Sequence, residues 1–503
     1  MIKTSGLLKL EKRIAHDLSI ISYPVNGWIP SKFDEQGKRV LDVLVVGGGQ
    51  GGLAIAFQLL RERVQNIQVI DAAEAGQEGP WLNYARMPTL RSPKEVNGPD
   101  LNIPSLAFQA WYEAQFGKLS WKKLNKIPTG LWVNYLKWFR KVLSLPVQNR
   151  MRLIAFEPLQ DNIKVKIECL TTGNVQEEIA RKLILATGIE TPGKWSVPPI
   201  SQKIPKDFWF HTSEMINFDL FENKEIAVLG AGASAMDNAV MALEAKALGV
   251  TLYCRRSELQ RVQPFKWLSF PGFLRHFSEL NNEWRWKFMS YLLTLREAFP
   301  KETWDRANRF KEFNVQTGAD WEDLHIKDEK ISILTGKGIF EADFLIFGTG
   351  FSIDLRHSKE LSPHAHLIAL WSDKFKRTRK EGGESNLLSY PYLGDGFQFL
   401  ERLPGSAPWL KNVHLFSFGA TMSFGPSGSS INAMKFAVPR LVHAITRDLF
   451  LEDIDHHFES MTSYKLPEFS LPGEETELAP ATTDFYGKKN FIFKKVGKMI
   501  TPS

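Results

Sequence analysis

The chain has 503 residues, 43% hydrophobic and 24% charged, a balance that fits a folded protein of two to four structural units and excludes a disordered or low-complexity class. Its net charge of +7 is spread along the chain, apart from the tail KKNFIFKKVGK, so it speaks for an anionic small molecule rather than a nucleic-acid surface. The only two cysteines, Cys169 and Cys254, stand far apart in sequence, which excludes a disulfide framework, a C-x-x-C redox pair and a cysteine metal site.

The first residues, MIKTSGLLKLEKRIAHDL, lack the apolar run of a signal peptide, and no run of about 18 uncharged apolar residues follows, so no transmembrane helix is expected. Few cysteines fit a reducing compartment, and the cytoplasm is the expected location. No His/Asp/Glu array has metal-ligand spacing, so no metal is expected.

Residues 1–40 read as an N-terminal extension of mixed polarity, with GWIPSKFDEQGKR as loop. RVLDVLVV then runs apolar and β-branched into five glycines within VVGGGQGG, LAIAFQLLRER has helical spacing, and NIQVIDA is a second buried strand. KEIAVLG, AGASAMDNAVMALEAKA and GVTLYCRR repeat this strand–helix–strand order. Two more short strands end in glycine, KLILATG at 182–188 and DFLIFGTG at 343–350. Between the second unit and the last of these lies an aromatic stretch, Phe265 to Phe299, read as helical. It suits a water-excluding lid, a membrane-surface contact or a small core of its own. A second aromatic run, 110–116 and 132–139, reads as cavity wall or core. No repeat of 20–50 residues is present.

Gly47, Gly49 and Gly52 form G-x-G-x-x-G between strand and helix. The first glycine makes the tight turn, the second lets a pyrophosphate approach the backbone, and the third lets helix pack on strand. The helix N-terminus then offers free N–H groups to phosphate. An acid about 20 residues on should bind ribose hydroxyls, and Asp71 stands there. The second motif is Gly230-x-Gly232-x-x-Ala235, with Ser234 beside it. Its following strand ends in Arg255 and Arg256 instead of an acid, which suits a 2′-phosphate and hence NADPH. A plain-ribose site followed by a 2′-phosphate site indicates FAD and NADPH in one chain.

The order G-x-G-x-x-G, Ala186-Thr187-Gly188, Gly230-x-Gly232-x-Ser234-Ala235 and Gly348-Thr349-Gly350 with Asp354 resembles the class B flavin-dependent monooxygenases. These are two-dinucleotide-binding flavoproteins, among them the flavin-containing and N-hydroxylating monooxygenases. The resemblance covers roughly residues 40–445. It implies an α/β fold of two Rossmann-like domains, the second inserted in the first, with a helical aromatic-rich insertion. The implied divisions are an FAD-binding domain at 41–190 and 346–455, an NADPH-binding domain at 191–345 with its insert at about 265–310, and a tail at 456–503. It also implies an enzyme that places one oxygen atom of O₂ on a small molecule through a C4a-hydroperoxyflavin, chiefly by N-hydroxylation or other heteroatom oxygenation. The rival reading is a reductase that passes electrons to a quinone without oxygen insertion.

By the same resemblance, Trp81, Arg91, Ser92 and Asn97 lie toward the flavin, and Gly188, Gly350, Asp354, Gly428 and Ser429 contact cofactor. His211 is placed at the mechanistic histidine of the family fingerprint, although Pro205, Asp207 and Met215 depart from its Baeyer–Villiger form. Asn97 and His211 are the candidates for catalysis. The implied partners are a small-molecule substrate and O₂. Substrate identity and oligomeric state are left open.

Overall fold

The computed structural model describes residues 5–189, 192–295, 297–376, 385–428 and 430–473. Ser429 and the basic tail 488–498 lie outside the described residues.

The strand Leu41–Val46 is buried on both faces, as its unbroken apolar run requires. It pairs in parallel with Ile67–Asp71 on one side and with Val175–Gly188 on the other. Val147–Asn149 extends the sheet beyond Ile67–Asp71, and Val413–Ser417 joins in parallel at the other side. The first half of the long strand Val175–Gly188 instead pairs antiparallel with Asn162–Cys169, which pairs in turn with Met151–Leu159. One strand thus serves both a parallel sheet and an antiparallel meander. The sequence reading found only its last seven residues, because the first residues, VQEE, are largely exposed and carry no apolar run.

The second sheet is parallel throughout, in the order Phe313–Thr317, Gly249–Cys254, Glu225–Leu229, Phe344–Phe347, Trp209–His211. A three-stranded antiparallel sheet, Trp321–Lys327, Lys330–Thr335 and Gly338–Ala342, shares a core with it through Tyr253, Trp321 and Phe347. The two passages of chain between the units lie side by side, as Gly193–Trp195 pairs antiparallel with Phe351–Ile353. The second unit is therefore an insertion in the first.

The aromatic run at 110–116 and 132–139 is largely core, and the stretch Phe265 to Phe299 is divided between core and surface. Phe108, Trp111, Trp132 and Tyr135 are buried, with ring centroids 5.1–5.9 Å apart. The stretch after Arg256 folds into Pro264–Trp267, Pro271–His276 and Asn282–Leu295, with Phe273, Phe277, Trp286 and Met289 in a core shared with Trp371 and Met422. Trp267, Phe270, Trp284 and Tyr291 remain exposed.

Residues 5–20 are a helix, which the sequence reading did not anticipate. Leu7, Leu10, Ile14 and Leu18 make one apolar stripe that docks into the first core. Charged residues between these positions dilute the pattern.

Candidate functional site

Both glycine motifs sit at the carboxyl ends of parallel strands, where open α/β sheets bind ligands. In the first, Gly47 has φ 110° and its Cα faces the Ala186 carbonyl, into which any Cβ would run. A Cβ on Gly52 would overlap the Gly47 carbonyl. Gly49 differs, because a methyl there would meet nothing within 4 Å. Two glycines are thus demanded by packing, and the middle one borders open space at the N-terminus of the helix Gln50–Arg61. That is the cradle a pyrophosphate needs.

Asp71 closes the loop from below. Its Oδ2 accepts from the Gly48 N–H at 2.6 Å and its Oδ1 from the Ala73 N–H at 2.7 Å. Burial pushes the Asp71 pKa up, and the two amides work against that rise. Each oxygen keeps acceptor capacity for a hydroxyl.

A cavity of about 570 Å³ opens from Gly48 and Gly49 and is lined further by Gly76, Trp81, Lys137 and Arg140. The sequence reading missed the polar frame of this cavity. Glu78 accepts from Arg140 at 2.9 Å, from Asn149 at 2.7 Å and from the Gly76 N–H at 2.7 Å. Lys137, Arg140 and Lys141 lie on one face of the helix Thr129–Val142 and give the cavity a cationic wall. Their i, i+3, i+4 spacing was the available signal. A dinucleotide diphosphate fits this set of donors, acid and open glycine.

The second motif repeats the geometry. Gly230 has φ 125°, its Cβ position is filled by the Gly348 carbonyl, and Gly232 faces open space. Ala235 is fully buried in the third position. Ser234 is exposed in the first turn of the helix Ala233–Glu244. Gly188 and Gly350 turn with φ 74° and 77° after the two equivalent strands, each bordering open space.

The two arginines separate. Arg256 donates to the carbonyls of Thr294 and Leu295 at 2.7 and 2.9 Å, capping the end of the helix Asn282–Leu295. Arg255 is exposed. Adjacent residues on an extended chain point apart, so a pair acting together on one phosphate was not available.

The other residues expected beside cofactor have the following neighbours. Arg91 reaches into the second unit, to Asp237 at 3.1 Å and Glu297 at 3.5 Å. Asp354 is engaged by Arg356 at 2.7 Å and caps the turn Leu355–His357. Asn97 accepts from Lys435 at 3.0 Å, and Ser92 is half-buried. Trp81 packs edge-on against Trp132. Gly428 lies against the Ser417 backbone, 2.7 Å from where a Cβ would be.

His211 is buried at the end of Trp209–His211. Its Nδ1 is 2.7 Å from the Ser213 hydroxyl, and its ring is 5.6 Å from Trp195 in the crossover strand. Burial lowers its pKa. Cys169 and Cys254 belong to different sheets, and both are free. Among the described residues no group of three His, Cys, Asp or Glu is placed to hold a metal, and no helix is long and apolar enough to cross a membrane.

The pyridine nucleotide-disulphide oxidoreductase family model matches residues 44–291, which takes in both glycine motifs. The chain is 36% identical over 467 residues to the FAD-dependent urate hydroxylase of Xanthomonas campestris pv. campestris, covering 92% of this chain and 97% of that protein. The ornithine N-hydroxylase of Kutzneria sp. 744, solved with reduced FAD, NADP⁺ and L-ornithine, superposes with a TM-score of 0.62 at 14% identity, covering 81% of this chain and 99% of that one. The bacillithiol disulfide reductase of Bacillus cereus superposes less well, with a TM-score of 0.52 at 15% identity over 81% of this chain and 99% of its own. The fold is therefore common to oxygenases and reductases, and the sequence relative decides between them. The chain belongs to the family of that FAD-dependent hydroxylase of Xanthomonas.

Proposed function

We propose that the chain binds FAD at Gly47–Asp71 and NADPH at Gly230–Arg255, and hydroxylates a small oxidised heterocycle with O₂, urate being the first candidate. The observation that carries the two-cofactor reading is the repeated cradle. In each unit the outer positions of the motif are closed by packing and the middle glycine borders open space. The substrate rests on the Xanthomonas relative, a urate hydroxylase.

Bound at the first cradle, FAD supplies the redox chemistry, taking hydride and activating oxygen. The protein's own work is binding and placement. The amides at the start of Gln50–Arg61 meet the diphosphate, and Asp71 accepts from the ribose hydroxyls. Lys137, Arg140 and Lys141 offset the phosphate charge. In the second unit Arg255 is free to pair with a 2′-phosphate, whereas Arg256 holds the insert helix. The division between FAD and NADPH domains follows this assignment, with the crossovers at 193–195 and 351–353 as the joints. His211, wedged beside Trp195, keeps these joints packed.

Heteroatom oxygenation is the competing substrate class, carried by the motif resemblance. An assay separates them. Purified protein with FAD is given NADPH, O₂ and either urate or a primary amine, and substrate loss is followed against NADPH oxidation. Urate-dependent NADPH oxidation with loss of urate supports the proposal. Amine-dependent turnover alone replaces urate by the heteroatom class.

A further inference from the structure

Asp237 carries a charge where a helix interior gives no reason for one. It lies four residues into Ala233–Glu244, the helix that starts at the open Gly232 cradle, and is 3% exposed. A lone buried carboxylate is costly, so its partners matter. Thr303, on the neighbouring helix Lys301–Ala307 of the same unit, donates to Oδ1 at 3.2 Å. Arg91 of the other unit donates to Oδ2 at 3.1 Å. Burial raises the Asp237 pKa, and Arg91 opposes this first among its neighbours.

Arg91, with its side chain 36% exposed, stands on a loop that is pinned on its own side. The Leu90 N–H bonds the Ile127 carbonyl at 2.8 Å, and Thr89 bridges Pro128. The same loop runs on to Gly98, which abuts the Ile431 carbonyl closely enough to exclude a side chain. Asp100 fixes that turn through the Gly98 N–H at 2.8 Å. A continuous path therefore joins the second cradle's helix, through Asp237 and Arg91, to the loop packed on the last segment of the first unit. A second ion pair, Lys126 to Glu302 at 3.0 Å, crosses the same seam, but Glu302 is 51% exposed. Screened surface pairs contribute little.

We propose that Asp237 and Arg91 are positioning residues that set the second dinucleotide's helix against the flavin-side loop, and so the geometry for hydride transfer from NADPH to FAD. This rests on the two-cofactor reading above. In that step NADPH becomes NADP⁺ and FAD gains two electrons, the hydride moving directly between them. Neither residue touches the transferred hydride. Misplacement of the donor by about an ångström is enough to cost on the order of 100-fold in rate.

The test is anaerobic stopped-flow reduction of the FAD-loaded protein, with Asp237→Asn, Arg91→Lys and Lys126→Gln. The limiting reduction rate is expected to fall at least tenfold in Asp237→Asn and by less in Arg91→Lys, which keeps charge but loses the fork. FAD content, NADPH Kd within threefold and dithionite reduction are expected to hold, and Lys126→Gln to match the wild type. In the apoprotein, hydrogen exchange of 89–100 is expected to quicken in Asp237→Asn while 41–46 stays protected. Should Asp237→Asn not fold, Arg91→Lys carries the same comparison. Wild-type protein that NADPH does not reduce would remove the two-cofactor reading and this inference together. Wild-type reduction with unchanged rates in both variants, or unchanged exchange at 89–100, would overturn the inference alone.

Discussion

Gly348 and Ala235 share one space: a Cβ on Gly348 would overlap the Cβ of Ala235 and come within 2.8 Å of its Cα. The third motif position tolerates alanine because Gly348, just after the strand Phe344–Phe347, faces it without a side chain. In the first unit Ala186, within the strand Val175–Gly188, stands where Gly348 does, and the third position is Gly52. Gly348→Ala is therefore expected to destabilise by about 1–3 kcal/mol, the usual range for overpacking. Adding Ala235→Gly should restore part of that loss. Denaturant melts of the two single variants and the double variant measure the coupling.

Gly49 and Gly52 predict opposite failures. Gly49 has φ −72° and open space around it, so Gly49→Leu should leave the apoprotein's melting unchanged while it fills the cradle. Flavin content after purification should drop by about tenfold or more, as a lost phosphate contact of roughly 1.5–3 kcal/mol implies. Gly52→Ala should instead damage the fold, because its methyl meets the Gly47 carbonyl. Flavin absorbance and thermal melts on both variants separate the two roles.

Nucleotide choice should rest on one arginine. Arg255→Ala is expected to raise the KM for NADPH by roughly 10-fold or more with little effect on NADH, since a charge-assisted contact is worth about 1.5–3 kcal/mol. Arg256→Ala should affect both nucleotides alike, because its guanidinium serves the helix Asn282–Leu295. Steady-state kinetics with both nucleotides check this.

Asp42 gives a pH signature. It is 2% exposed on the first strand, and burial raises its pKa from 3.8 to about 6 against the pull of Arg181, Arg39 and Lys32. The folded protein holds this proton after the unfolded chain has lost it, so the Asp42 contribution to stability falls as pH rises from about 4 to 6. Above that window the loss is about 3 kcal/mol, at 1.36 kcal/mol per pH unit. Asp42→Asn cannot ionise, so it should be more stable than the wild type at pH 8 and gain nothing near pH 4. Urea melts across that range read the difference.

The backbone of the site was legible in the sequence, because G-x-G-x-x-G ties residue type to a local turn that leaves little choice. Gly47, Gly49, Gly52 and Asp71 converge for that reason, and Gly230 and Gly232 repeat them. Arg91 was not legible, since its partner Asp237 lies 146 residues away and belongs to another unit. Glu78, Arg140 and Asn149 meet only after three separate elements pack. The helix Ser5–Ile20 escaped because its apolar stripe is read against tertiary neighbours, not along the chain.

The proposed hydroxylation requires that oxygen from O₂ end on the substrate. The direct measurement supplies the FAD-loaded protein with NADPH, urate and ¹⁸O₂, and weighs the product. One ¹⁸O atom gained per urate consumed, with NADPH and O₂ used in equal amounts, is the predicted result. NADPH oxidation that yields only hydrogen peroxide or a reduced quinone, with no ¹⁸O in any product from urate or an amine, would contradict it.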